Sequence, residues 1–180
     1  MLTLRPFSHK DVPLKVKWIN DPANNQYLHY SFPLEKNATH LWLDRVQKMG
    51  TRCDLTIISD NNPIGIIGLL NIDKKNRKSA ELYITIGEHA YRGKHLAREA
   101  MQILCKKAFT EFMLDEIYLF TETKNCAAIH SFENVGMTQV ELRKNDAVNQ
   151  HGVLVDRYMY RITKREFEAK YGNFSANTNL

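Results

Sequence analysis

The sequence predicts an α/β (α+β) fold, a mixed and mostly antiparallel sheet flanked by helices. Three apolar runs, "CDLTIIS", "IGIIGLL" and "AELYITI", follow one another with turn residues between them, at Asp60, Asn61, Asn62 and Pro63 and at Lys74, Lys75 and Asn76. That is the pattern of an antiparallel meander. After Gly93 the apolar spacing changes from two to about four, then returns to a strand pattern at "EIYLFTE". A strand, helix, strand crossover of this kind runs its two strands parallel. Finally, "MTQVELRK" and "VLVDRYMYRIT" form a terminal hairpin around Asn149, Gln150, His151 and Gly152.

In chain order, the first helix starts at Ser8 and Asp11, spaced like a capping box, and carries Val12, Val16 and Ile19. Pro13 is admitted only in its first turn, and the helix ends near Asp21 and Pro22. A polar-aromatic loop, "NDPANNQYLHYSFP", leads to a second helix over 38–49, with Asn37 as cap, Leu41, Trp42 and Val46 on one face and Gly50 closing it. The three meander strands follow. The central helix presents Leu96, Ala100, Leu104, Ala108 and Phe112 as one stripe with Ala97, Met101 and Phe109 beside it, a face made for a core. Past the fourth strand, "NCAAIHSFENVG" reads as a short helix capped near Asn125. The predicted order is α-α-β-β-β-α-β-α-β-β, one domain over residues 1–171 with a flexible tail at 172–180.

The 180 residues, 43% hydrophobic, suffice to bury one core. The N-terminus turns polar too early for a secretory signal, and no apolar run approaches the ~20 residues that a bilayer requires, so a cytoplasmic location is expected. Cys53, Cys105 and Cys126 are odd in number and outside any CxxC pair, and the histidines have no HExxH-like spacing. Neither a disulfide framework nor a metal site is expected. Lys and Arg number 25 against 20 for Asp and Glu, which favours an anionic partner. Without a basic block or a recognition motif, a phosphorylated small molecule suits that charge better than nucleic acid.

Between the third strand and the central helix lies "AYRGKHLAREA". A helix start leaves N–H groups unpaired and carries the positive end of the peptide dipole. Gly93 lets an anion approach the backbone, while Arg92, Lys94 and Arg98 add charge, so the junction suits a phosphate or pyrophosphate. It is neither the three-glycine dinucleotide fingerprint nor a P-loop.

In its context, "AELYITIGEHAYRGKHLAREAMQIL" followed by "EIYLFTETKNCAAIHSFENVGM", this segment resembles the GNAT superfamily of acetyl-CoA-dependent N-acetyltransferases, over nearly the whole chain. The resemblance implies acetyl-CoA as cosubstrate, no metal, and direct attack of a primary amine on the thioester. The oxyanion would accept a backbone N–H of the strand beside the cofactor. It makes Arg92, Gly93, Lys94, His95, Leu96, Ala97 and Arg98 the pyrophosphate loop, with Arg92 and Ala97 matching the pattern and His95 replacing a glycine. Ile84 and Ile86 on the third strand, and Asn125, Ala128 and Phe132 in the later block, complete the implied cofactor contacts. Phe132 stands where a tyrosine commonly protonates the departing thiolate, which leaves water, Ser131 or His130 for that step. Glu81 matches an acidic position of the family's central strand and is the expected base. Alternation puts Tyr83 on its face, a catalytic candidate beside Glu81 and Ser131, with Leu82, Ile84 and Ile86 on the other.

The acceptor is sought in the N-terminal third. Trp18, Asn20, Asp21, Pro22, His40 and Trp42 resemble the branch that acetylates nucleotide-linked amino sugars. Asn20, Asp21, Tyr27, His29 and Tyr30 are the expected substrate contacts, rings for stacking and polar groups for hydroxyls. The two tryptophans would serve equally as packing residues. The polyamine branch is matched through "SAELYITIGEHAYRGK" and "HGVLVDRYMY", and ribosomal-protein N-termini are a further alternative. A module that binds acyl-CoA without reacting is the reading of another class, motivated by His95 and Phe132. The expected partner is a small-molecule amine, with neither nucleic acid nor membrane, and a homodimer is left open.

Overall fold

The computed structural model describes residues 1–173. Its strands are β1 (Leu2–Pro6), β2 (Cys53–Ser59), β3 (Asn62–Asp73), β4 (Ser79–Ile86), β5 (Glu116–Glu122), β6 (Thr138–Val148) and β7 (Leu154–Thr163). They form one sheet in the order β1-β2-β3-β4-β5-β7-β6. Every neighbouring pair is antiparallel except β4 and β5, which the crossover helix joins in parallel. The helices are α1 (Val12–Asn20), α2 (Pro22–Asn25), α3 (Lys36–Val46), α4 (Leu96–Thr110), α5 (Cys126–Val135) and α6 (Lys164–Tyr171).

Three of these elements go beyond the sequence reading. β1 is too short and too polar to announce itself, yet its backbone pairs with β2 from Leu2↔Ser59 to Pro6↔Leu55. α2 is a single turn started by Pro22 and capped by Asp21, whose carboxylate accepts from Ala23 N–H at 2.9 Å. α6 opens on a capping box of Thr163 and Glu166, a signal present in "TKRE" and absorbed into the strand before it. α3 starts at Lys36 with Glu35 as its N-cap, earlier than Asn37, and ends at Val46 rather than Met49. Phe112 lies past the end of α4. Of the predicted tail, residues 174–180 lie outside the described residues.

Two cores result. α4, α5 and α6 cover one face of the sheet, where Leu82, Met101, Leu104, Ile117, Leu119, Phe132 and Phe167 pack together. α1 and α3 cover the other face over the β1–β4 half only, with Trp18, Ile19, Leu43 and Ile66 as the centre. Asp11 ties the two parts of the N-terminal region together. It accepts both guanidinium nitrogens of Arg5 on β1, at 2.6 and 2.7 Å, and the Ser8 N–H at 2.9 Å. Among the described residues no helix is long and apolar enough to cross a membrane.

The second core contains charge. Lys15, 4% exposed, sets its ammonium 3.4 Å from the Trp42 ring centroid, with the Phe7 and Tyr30 rings at 5.6 and 6.0 Å. Beside it Arg52 grips Asp54 at 2.6 and 2.8 Å, and Tyr83 donates its hydroxyl to the same carboxylate. Burial, opposed by Asp54 and aided by Arg52, brings the Lys15 pKa down from 10.5 to about 8.

The folded chain therefore binds fewer protons than the unfolded chain between pH 8 and 10.5, and its stability rises with pH across that window, by an amount on the order of 3 kcal/mol. Denaturant unfolding at a series of pH values should show this gain in the wild type relative to Lys15→Met. Parallel curves for the two proteins would mean that Lys15 carries an ordinary, solvated charge.

Candidate active site

β4 and β5 pair over only three rungs, Ser79↔Glu116, Ala80↔Ile117 and Glu81↔Tyr118. Beyond Glu81, β4 stays with β3 as far as Gly65↔Ile86, and beyond Tyr118, β5 stays with β7 as far as Glu122↔Arg157. The two strands part, and a wedge opens between residues 82–86 and 119–122 with main-chain edges facing it. The side chains of Ile84 and Ile86 pack into the α4-side core. What β4 offers the wedge is its backbone.

The start of α4 follows the C-terminal end of β4. Gly93 has φ +70°, and His95, the N-cap of α4, is left-handed at φ +59° and ψ +9°. Glu99 N–H bonds the His95 carbonyl, so the preceding N–H groups of Leu96, Ala97 and Arg98 form the open first turn. Lys94 lies over the Tyr91 ring at 5.4 Å. Arg92 does not face the helix start: its guanidinium donates to the carbonyls of Ala23 at 3.1 Å and Ile86 at 3.5 Å, tying α2 to the end of β4. On the other side of the wedge, Asn125 caps α5 by accepting from Ala128 N–H at 3.3 Å. Phe132, 6% exposed, packs on the Tyr160 ring at 6.1 Å. Ser131 gives its hydroxyl proton to Ala127 O at 3.0 Å, within its own helix.

At the apex of the wedge three side chains meet. Glu81 and Tyr118 are register partners, and Asn71 on β3 donates its amide to the Glu81 carboxylate at 3.1 Å. Asn71 is left-handed, φ +52°, inside an irregular stretch of the β3–β4 ladder between Leu70 and Asp73. Such a bulge re-aims a side chain. Burial and then the Glu81 charge raise the Tyr118 pKa, while a hydrogen bond from Asn71 opposes them. Among the described residues Glu81 forms no ion pair. It opens on a groove of about 660 Å³ that runs over the part of the sheet left bare by α1 and α3, with Tyr118, Phe120 and Met159 as its floor. Tyr83 does not reach this groove. It lies over Gly68, where a Cβ would collide with its ring, and its hydroxyl is held by Asp54 on β2. Burial and then Asp54 push its pKa well above 10, and its proton is committed to Asp54.

The predicted acceptor residues divide. Asn20 spends both ends of its amide on the backbone of Leu34, at 2.6 and 2.9 Å, and Tyr30 packs in the second core. Trp18 is buried and donates to Glu88 at 2.7 Å. These residues build the loop and leave it little free for a ligand. Asp21 pairs with His89 at 3.0 Å. Tyr27 reaches across the wedge mouth to Lys124 O at 3.2 Å, and His29 to Val148 O, also at 3.2 Å. The second nitrogen of His29 lies 3.2 Å from Glu122, a carboxylate at the end of β5 that the sequence reading passed over. Its signal was there in "EIYLFTE": alternation sets Glu122 on the same face as Tyr118 and Phe120. Among the described residues no three His, Cys, Asp or Glu side chains are grouped to hold a metal ion.

Residues 1–138 match the family model of the acetyltransferase (GNAT) domain. Two bacterial proteins are similar over almost their full lengths. The "SPbeta prophage-derived uncharacterized N-acetyltransferase YokL" of Bacillus subtilis (strain 168) is 27% identical over 173 residues, 95% of this chain and 94% of its own. The "uncharacterized N-acetyltransferase p20" of Bacillus licheniformis is 25% identical over 171 residues, 92% of this chain and 94% of its own. Among solved structures, the spermidine N-acetyltransferase from Vibrio cholerae in complex with CoA and spermine superposes with a TM-score of 0.84 at 22% identity, over 92% of this chain and 97% of that one.

The strained N-cap of α4 gives a direct test. His95→Gly removes a left-handed conformation that costs a side-chain-bearing residue about 1–2 kcal/mol, so the melting temperature should rise by roughly 2–8 °C. A drop in a thermal scan would show that the imidazole itself holds the turn.

Proposed function

The chain belongs to the GNAT acetyltransferase family and is an acetyl-CoA-dependent N-acetyltransferase, and from that premise we propose that its acceptor is a flexible, multiply charged aliphatic amine of the polyamine type. The carrying observation is Glu81, a carboxylate at the wedge apex whose hydrogen bond comes from a neutral amide and whose open side faces the groove. A cationic amine supplies the charge that this carboxylate lacks. The groove is also lined by Asp115 and Glu116, paired with Lys78 at 3.8 Å and Arg161 at 3.5 Å, and by Arg77 and Arg143, the latter engaged by Glu141 at 3.0 Å and stacked on Phe120, which leaves Glu81 as its carboxylate without an ion pair among the described residues. An aromatic floor between carboxylates suits methylene segments between ammonium groups. The Vibrio cholerae neighbour, named for spermidine and solved with spermine, points the same way.

The nucleotide-linked amino sugar expected from the N-terminal residues loses its support. Stacking rings and free amides were its basis, and Trp18, Asn20 and Tyr30 are used to pack and fasten the loop.

The wedge fits acetyl-CoA. The free edge of β4 over residues 82–86 matches the amide groups of a pantetheine arm, and the first turn of α4, with Gly93, Lys94 and Arg98 around it, matches a pyrophosphate. The cosubstrate supplies the activated thioester. Glu81 takes the proton of the incoming ammonium, directly or through water. Without a base, an amine of pKa about 10.4 is only ~0.1% neutral near pH 7.4, a penalty of roughly 4 kcal/mol. Backbone N–H groups of β4 stabilise the developing oxyanion. Phe132 has no proton to give, and Ser131 gives its own to Ala127, so solvent meets the departing thiolate, whose thiol pKa of about 8.5 lets it leave unaided near neutral pH. A cytoplasmic location belongs to the same reading.

Mass spectrometry of the protein with acetyl-CoA and pooled amines (polyamines, nucleotide-linked amino sugars, aminoglycosides and ribosomal N-terminal peptides) should find the acetyl group on the polyamines. Transfer to the amino sugar alone would overturn the acceptor. Glu81→Gln should lower kcat by about 10²-fold at pH 7 and recover toward wild type near pH 10, where the amine deprotonates unaided. An equal deficit at every pH would remove Glu81 from proton transfer.

A further inference from the structure

Glu122 is a buried carboxylate with too few partners. Its side chain is 7% exposed at the end of β5, and its Oε1 makes no hydrogen bond. The adjacent guanidinium is engaged elsewhere. Arg157, its register partner on β7, gives its guanidinium to Asp146 at 2.5 and 2.7 Å and lies over the Phe120 ring. His29 Nε2 comes within 3.2 Å of Oε1, but off the line of a hydrogen bond, while its Nδ1 faces Val148 O at 3.2 Å. Both nitrogens of that ring thus face carbonyl or carboxylate oxygens, and neither gives Oε1 a hydrogen bond. A carboxylate taken out of water without hydrogen bonds or a well-placed cation is costly, and such groups persist where a ligand completes them.

The position says which ligand. By alternation Glu122 lies on the same face of the sheet as Tyr118 and Phe120, one rung past the Phe120 end of the groove and four residues along β5 from the apex pair, roughly 13 Å at 3.3 Å per residue. We propose that Glu122 is the distal ammonium subsite of the acceptor, covered in the free protein by the His29 ring, and that it selects linear amines carrying a second positive charge beyond the one that reacts. The inference rests on the polyamine reading of the groove and adds its length rule. The loop carrying His29 is pinned over the same mouth by Tyr27 on Lys124 O and by Gln150 on Asn25. An entering ammonium that displaces His29 from Glu122 therefore meets a loop already docked against β5 and the β6–β7 turn.

The test is calorimetric titration of spermidine into the protein saturated with CoA, where no transfer occurs, with n-butylamine as the single-charge control. Glu122→Gln should weaken spermidine binding by at least tenfold and leave n-butylamine and CoA unchanged. His29→Ala, which removes the competing ring, should leave spermidine binding equal or tighter. Equal spermidine affinity in wild type and Glu122→Gln overturns the subsite, as does absence of spermidine binding by the wild type. A loss in His29→Ala as large as that in Glu122→Gln also overturns it, by making the pair a structural clasp. Should Glu122→Gln fail to fold by its thermal transition, the His29→Ala result alone decides in the same sense. Transfer specificity is read separately: a protein that binds spermidine through Glu122 yet acetylates only another amine keeps the subsite and loses the acceptor assignment.

Discussion

The parting of β4 and β5 after Glu81↔Tyr118 is the constraint on which the rest of the molecule depends. β4 is held by β3 and β5 by β7, so neither strand can close the gap without leaving its antiparallel partner. In a closed sheet the edge groups of residues 82–86 would be paired and silent. In the wedge they are donors and acceptors at fixed spacing, backed by a packed core. The crossover through α4 sets its N-terminal turn at the end of β4, where a cosubstrate lying along that strand would carry its phosphates. The apex, where pairing stops, collects Glu81, Tyr118 and Asn71.

The two faces of the sheet are treated differently, and the difference separates support from chemistry. The face under α4, α5 and α6 is apolar and closed. The opposite face is covered by α1 and α3 only as far as β4, and there Lys15, Arg52, Asp54 and Tyr83 form a buried charged cluster against Trp42. That cluster anchors Tyr83 away from the wedge and so keeps the ring from filling the groove. Past β4 the same face is bare, and the groove runs over it. The bend in β3 at Asn71 lies at the boundary between the covered and the bare halves.

Much of this was legible in the chain. The meander, the crossover helix and the terminal hairpin follow from periods of two and about four, and local sterics enforce those periods whatever surrounds them. The cap at Asn125 and the end of α1 near Asp21 are likewise local matters. β1 was missed because five residues of mixed polarity gain their stability from a partner 50 residues away. Tyr30 and Asn20 were assigned to a ligand because a polar-aromatic loop looks the same whether its groups face a substrate or their own backbone.

By itself the sequence determined the fold class, the glycine-containing start of α4 and the acidic residue at the wedge apex, since each depends on residue type and near spacing. Tertiary structure alone decided which polar groups remain free. Tyr83 and Ser131 are bound to partners, one on another strand and one in its own helix, while Glu122 became a candidate because its register partner Arg157 is held by Asp146 and its Oε1 has no hydrogen bond. The physical reason is that a hydrogen-bonding group's availability is settled by what the folded chain brings within about 3 Å of it, and no local pattern of residues encodes that inventory.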